Sequence, residues 1–205
     1  MNPLQTIFLK ERIIALENEV KNLADYLFNG EMQKEIEAID KRWEQELGKY
    51  KTPLKLIILA EAPLSFERYF YNKQFTFLDS LRSFWKLKLN ADLPARMIKE
   101  GILLLDLYPF PIPSNFYKKD TNNILFDDNY LSKKLALLKK EGLIDDQTHL
   151  TFRYKALVKT KKLHQTNALK GLNILKDKIG DPIWINRSEK PQKLNVEVEQ
   201  YLNPT

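Results

Sequence analysis

The sequence predicts a three-layer α/β/α fold: a central, mostly parallel sheet of about four strands, preceded by an N-terminal helical extension. Three observations predict it. Two very apolar runs of strand length, Leu56–Ala60 and residues 102–105, end in Glu61 and Asp106. A helical pattern separates them, so a crossover connection and a parallel pair are expected. Apolar residues make up 43% of a 205-residue chain, enough for one domain with a sizeable core. We therefore read residues 1–205 as a single α/β domain, with N-terminal helices over 1–50 and a core over 54–190.

The elements follow in order. Ile7, Ile14, Val20, Leu23 and Leu27 fall near helical spacing, and Asn29-Gly30 breaks that helix. A second helix over 31–47 carries Ile36, Ile39 and Trp43 and ends at Gly48. These helices cover the sheet or dock a protein partner. Pro53 precedes the first strand, whose lack of charge suits burial on both faces. An aromatic loop follows, with Phe66, Tyr69, Phe70, Tyr71 and Phe75. Residues 77–87 and 94–100 read as helices, the second stopped by Gly101. Then comes the second strand, ending in Asp106 and Tyr108. Pro109, Pro111 and Pro113 make 108–123 a long irregular loop. Residues 129–140 form a basic helix. A third strand is expected over 152–160, with Ala156-Leu157-Val158 as its best segment, and a helix over 163–179. Residues 183–186 form a last short strand, followed by a loop from Arg187 and a terminal helix over 196–202.

Composition excludes several classes of chemistry. With no cysteine there are no disulfides, thiolate metal sites or thiol nucleophiles. No apolar run has the length of a signal peptide core or membrane span, so a cytoplasmic protein that does not enter membranes is expected. There is no dinucleotide or P-loop glycine pattern, and only six glycines. The two histidines, His149 and His164, lie in no metal-ligand spacing. No cofactor and no metal are expected. Lys and Arg total 33 against 27 Asp and Glu, a net charge of +6. That surplus suits a polyanion such as DNA or a nucleotide, or is simply a solvated lysine surface.

In parallel sheets, ligands bind beyond the carboxyl ends of the strands. The expected edge collects Glu61 from the first strand, Asp106 and Tyr108 from the second, and Asn186, Arg187 and Ser188 from the last. Three segments, in order, carry a resemblance. Residues Leu59-Ala60-Glu61-Ala62-Pro63 look like a Gly-Glu-Ala-Pro water-activating loop with Ala60 in place of glycine. Gly101-Ile102-Leu103-Leu104-Leu105-Asp106 looks like a Gly-Val-Leu-Leu-Leu-Asn strand. Ile185-Asn186-Arg187-Ser188 stands where a His-Pro-Ser loop would be. The pattern resembles the uracil-DNA glycosylase superfamily. The resemblance implies a hydrolase of N-glycosidic bonds acting in DNA repair, with a modified base held in a pocket. It implies Glu61 and Asn186 as catalytic residues, Phe75, Phe70 or Tyr71 as the stacking aromatic, and Asp106, Arg187 and Ser188 as binding residues, to which the strand end adds Tyr108. The alternative is a non-catalytic α/β protein, of this or another fold, that binds a nucleotide, nucleic acid or protein.

Asp106 departs from the pattern in a way with chemical meaning. Asparagine offers a donor and an acceptor to a lactam edge; an ionised aspartate offers acceptors only. Ionised, Asp106 would suit the amino-bearing edge of cytosine or adenine. To read uracil it would have to be protonated. Each residue also has a structural role open to it: Asp106 capping the next loop, Glu61 pairing with Arg68 or a lysine, Phe75 packing in the core, Arg187 as a solvated charge.

Overall fold

The computed structural model describes residues 30–61, 69–72, 79–88, 91–108, 128–159, 162–186 and 193–204. Among these are four strands in one all-parallel sheet and six α-helices. The expected helix over 4–28 and the loop residues 109–123 lie outside them.

Helix α1 (Gly30–Leu47) buries Ile36, Ile39, Trp43 and Leu47, a stripe of three- and four-residue steps. Strands β1 (Leu56–Ala60) and β2 (Ile102–Asp106) pair in parallel, from Leu56 opposite Ile102 to Ala60 opposite Asp106. Every β1 side chain is buried, so both faces of the sheet are covered at that strand. Between them lie α2 (Asp79–Phe84) and α3 (Leu93–Lys99). Asp92 starts α3 by accepting the Ala95 N–H at 3.0 Å, and Pro94 sits in its first turn, where no N–H is needed. Gly101 leads into β2 with φ +68°, and a Cβ there would stand 3.2 Å from the Lys55 nitrogen. Its carbonyl accepts from the amides of Lys55 and Leu56, so this turn requires glycine.

Beyond β2 comes α4 (Asp128–Lys140), then β3 (His149–Phe152) and α5 (Lys155–Lys159). Strand β4 (Asn173–Ile174) and helix α6 (Val196–Leu202) complete the described elements. The sheet order is β2-β1-β3-β4. Asp40 ties α1 to α4: it accepts the Tyr130 hydroxyl at 2.6 Å and pairs with Lys134 at 2.8 Å, whose ammonium sits 4.0 Å from the Trp43 ring centre.

Two expectations are corrected. The third strand is residues 149–152, not 152–160, and 155–159 are helical. The run Ala156-Leu157-Val158 is apolar, but Leu157 and Val158 reach the core from a short helix. The true strand hides its nature behind Thr151, whose buried hydroxyl is satisfied by the Ile183 carbonyl at 3.0 Å. The expected helix over 163–179 is two 3₁₀ turns followed by β4. Gly171 and Gly180 take φ of +81° and +90°, which no helix accommodates. Residues 183–186 do run alongside the sheet: Trp184 forms a parallel bridge with Phe152, and the Ile185 amide donates to the Phe152 carbonyl at 2.7 Å.

Candidate functional site at the carboxyl edge of the sheet

Three adjacent strands leave the core in charged residues. Asp106 ends β2 in register with Ala60. Arg153 follows β3, its amide donating to Leu59 at 2.8 Å, which continues the pairing of Leu59 with Phe152. Asp106, Ala60 and Arg153 thus form one row across the sheet. Residues in a row of a parallel sheet share a face. Ala60 carries only a methyl, so the acid and the guanidinium flank a small residue. With strands ~4.8 Å apart, their backbones stand roughly 10 Å apart, and each charge acts on the other's ionisation.

Burial pushes the Asp106 carboxyl from 3.8 up to about 7, against the pull of Arg153. Burial likewise lowers Arg153, while Tyr154 and Asp106 hold it up. The Arg153 guanidinium lies 4.7 Å from the ring centre of Tyr154, which is half-exposed. Tyrosines surround the acid. Tyr69, Tyr71, Tyr130 and Tyr154 are all pushed above their ordinary values, burial first, with the Asp106 charge adding to each.

Glu61 continues β1 by one residue. Its carbonyl accepts the Tyr108 amide at 3.1 Å, and its Oε1 atom is buried. The structure therefore brings Glu61 and Asp106 to adjacent strand ends, with Tyr108 beside them, its ring buried and its hydroxyl pushed up by burial. Asn186 lies on the same edge, one position beyond Arg153, or roughly 10 Å across from Glu61 by strand spacing. It is held by the Ser80 hydroxyl of α2, which donates to its Oδ1, and by a backbone bridge to Leu194. Tyr71 is fully buried, and its hydroxyl is spent on the backbone of Leu104. Phe75, Arg187 and Ser188 lie outside the described residues.

His149 sits at the start of β3, the far end from this edge, with Nδ1 2.9 Å from the Gln147 carbonyl oxygen. Among the described residues no three acidic or histidine side chains gather as metal ligands, and no helix is long and apolar enough to cross a membrane. Sequence reasoning missed Arg153, Tyr69, Tyr130 and Tyr154 as neighbours of Asp106. For Arg153 a signal existed: His149-Leu150-Thr151-Phe152-Arg153 also exits a buried strand into a charge, as the other two strands do.

Fold and site together define an α/β protein with a carboxylic acid and a guanidinium in one row at the carboxyl edge of a parallel sheet, one residue between them. No family model matches the chain, nor does any curated protein or solved structure.

Proposed function

We propose that this edge is the base pocket of a uracil-DNA glycosylase-like protein, which binds or excises a modified base in DNA. The observation that carries the reading is Asp106: a buried carboxyl in one row with Arg153, its charge felt by four tyrosines, and half-protonated near pH 7. A neutral carboxyl presents one O–H donor and one C=O acceptor. That is the pair an asparagine amide would offer to a lactam edge, so the departure at this position keeps the chemistry a base reader needs. The favoured ligand is a base with adjacent carbonyl and N–H groups, such as uracil, hypoxanthine or xanthine.

In the excision reaction a water oxygen bonds to C1′ as the C1′–N bond breaks. The bonding pair leaves with the base. Glu61 orients the water and takes its proton, help worth typically ~10²–10⁴-fold. Arg153 faces the developing negative charge on the base, a role whose removal elsewhere costs about 10²–10³-fold. Tyr154, 39% exposed, supplies a ring against which a base can lie. Asn186, held by Ser80, supplies a further amide to the edge.

The test is base release from oligonucleotides carrying uracil, hypoxanthine or xanthine, measured with the wild type, Glu61→Gln and Arg153→Met. Release that falls at least about 100-fold in both variants supports excision. Binding of a lesion-containing strand without release, weakened by Arg153→Met, assigns the non-catalytic form of the same pocket. Neither binding nor release for any of the three bases overturns the proposal.

A further inference from the structure

Two features away from the carboxyl edge complement each other. The first is a cavity of about 470 Å³ where the carboxyl ends of α1 and α4 come together. Its lining combines buried Leu47, Tyr50 and Leu143 with exposed Glu44 and Glu141. Neither carboxylate is ion-paired among the described residues. Glu44 lies in the last turn of α1, which holds no basic residue, and Glu141 directly follows α4. The carbonyl ends of both helices add to that negative charge. Lys51 answers part of it, its ammonium donating to the Gly48 carbonyl at 3.1 Å. Tyr50 fixes the place, since its hydroxyl reaches the Ile102 carbonyl on the outer strand β2. An apolar wall beside unpaired acids suits an aliphatic side chain with a cation next to it.

The second feature is a hairpin on the other outer strand. The line of β4 is interrupted. Ile174 pairs with Leu150, the chain leaves over 176–182, and Trp184 resumes the line against Phe152. Asp177 ties the tip: one carboxylate oxygen accepts the amides of Ile179 and Asp181 at 3.0 and 2.9 Å, and Gly180 takes the left-handed conformation that the turn needs. Ile179 is thereby held outward, 85% exposed. Both hairpin carboxylates are engaged, Asp177 by these amides and Asp181 by Lys159 at 2.8 Å. Exposed Lys176 and Lys178 therefore set the sign of the tip. Strands β2 and β4 are three spacings apart, roughly 14 Å. The hairpin and the cavity thus belong to opposite edges of the sheet and do not serve each other within one chain.

We infer that the 176–182 hairpin of one copy docks in the α1–α4 cavity of a second copy, with Ile179 against Leu47, Tyr50 and Leu143 and the flanking lysines against Glu44 and Glu141. The match has three parts. An apolar side chain meets an apolar wall, cations meet acids that lack partners, and a tip tied by its own hydrogen bonds meets a space already formed. Knob and hole are different patches of one molecule, so the contact is heterologous. Each copy keeps a free knob or a free hole, and further copies add head to tail. Packing Ile179 on its own symmetry mate would instead bring four lysines together, an arrangement that like charges oppose. One tip buries far less than the ~1,200 Å² of a stable interface. Association is therefore weak, driven by concentration and opposed by salt. It requires nothing of the carboxyl edge and holds whether or not a base binds there.

Ile179, Glu44 and Glu141 are exposed, so their substitution leaves the fold intact. The full-length chain is followed by sedimentation velocity over a concentration series at low salt. The mean mass of the wild type should rise with concentration and fall back on addition of salt. Ile179→Ser, which loses the knob and keeps the hole, should associate at least about tenfold more weakly, from the loss of one buried apolar side chain. Glu44→Lys with Glu141→Lys, which loses the hole and keeps the knob, should be weakened at least as much by like-charge contact. Mixed together, the two variants should form a one-to-one dimer and grow no further, because only one knob and one hole remain between them. A wild type that stays monomeric throughout overturns the inference. So does self-association retained by either variant alone, or a mixture of the two that yields no dimer.

Discussion

Two edges of the sheet treat buried polar groups in opposite ways. Strand β2 is an outer strand, and its unpaired backbone groups would normally invite another chain. Here two tyrosines close it. The Tyr50 hydroxyl donates to the Ile102 carbonyl at 2.6 Å; the Tyr71 hydroxyl donates to the Leu104 carbonyl at 2.8 Å and accepts the Leu104 amide at 3.0 Å. Each polar atom in that arrangement has its partner, and the result is inert. At the carboxyl edge Asp106 and Arg153 share a row on either side of Ala60, yet both are displaced from their ordinary ionisation by burial. Buried polarity that is fully satisfied stabilises a fold. Buried polarity held against its own preference marks a place where chemistry or binding is supported.

The comparison can be broken most forcefully at Asp106. An acid whose pKa rises on folding binds its proton more tightly in the native state. Its contribution to stability is fully present below about pH 4, fades as pH rises, and is lost above about 7. The gap between 3.8 and about 7 corresponds to at most about 4 kcal/mol at ~1.4 kcal/mol per pH unit. Asp106→Asn, which cannot ionise, should match the wild type near pH 4 and exceed it at pH 8 by up to that amount in urea denaturation. Equal stability at both pH values would place Asp106 with the inert tyrosines.

Tyr71→Phe is the converse test. It leaves the Leu104 amide and carbonyl buried without the hydroxyl, a loss of ~2–3 kcal/mol, read as a lower midpoint in the same titration. Because that tyrosine serves the sheet edge, base binding by the folded variant should be unchanged. A smaller effect is expected at Ser80→Ala, which frees the Asn186 side chain at a cost of ~1 kcal/mol. A drop in base release beyond that of stability would draw Asn186 into the site; stability loss alone would leave it a brace between α2 and the last strand segment.

Much of this contrast was legible in the sequence, and the reasons are local. Strands β1 and β2 are uninterrupted apolar runs because both faces are covered, and they end where their charges begin. Helices α1, α3, α4 and α6 kept their stripes and their glycine or proline punctuation. Strand β3 is hard to read from sequence because His149 and Thr151 dilute its four residues, while the more apolar 156–158 packs as helix. That shift concealed Arg153, the cation in line with Asp106 among the described residues. Residues 163–179 misled by composition, their leucines being buried from 3₁₀ turns. The ring of tyrosines gathers residues from 69 to 154, a convergence that only the fold creates.

The most direct measurement is the ionisation of Asp106 itself. In the full-length protein labelled with carbon-13 at aspartate carboxyls, the resonance missing from Asp106→Asn identifies the group, and its shift is followed from pH 3 to pH 9. A midpoint near 7 is expected, showing a carboxyl that keeps its proton and its donor at neutral pH. A midpoint near that of an ordinary aspartate, about 4, would mean an ionised acceptor-only side chain and would contradict the account of this edge as a reader of lactam bases.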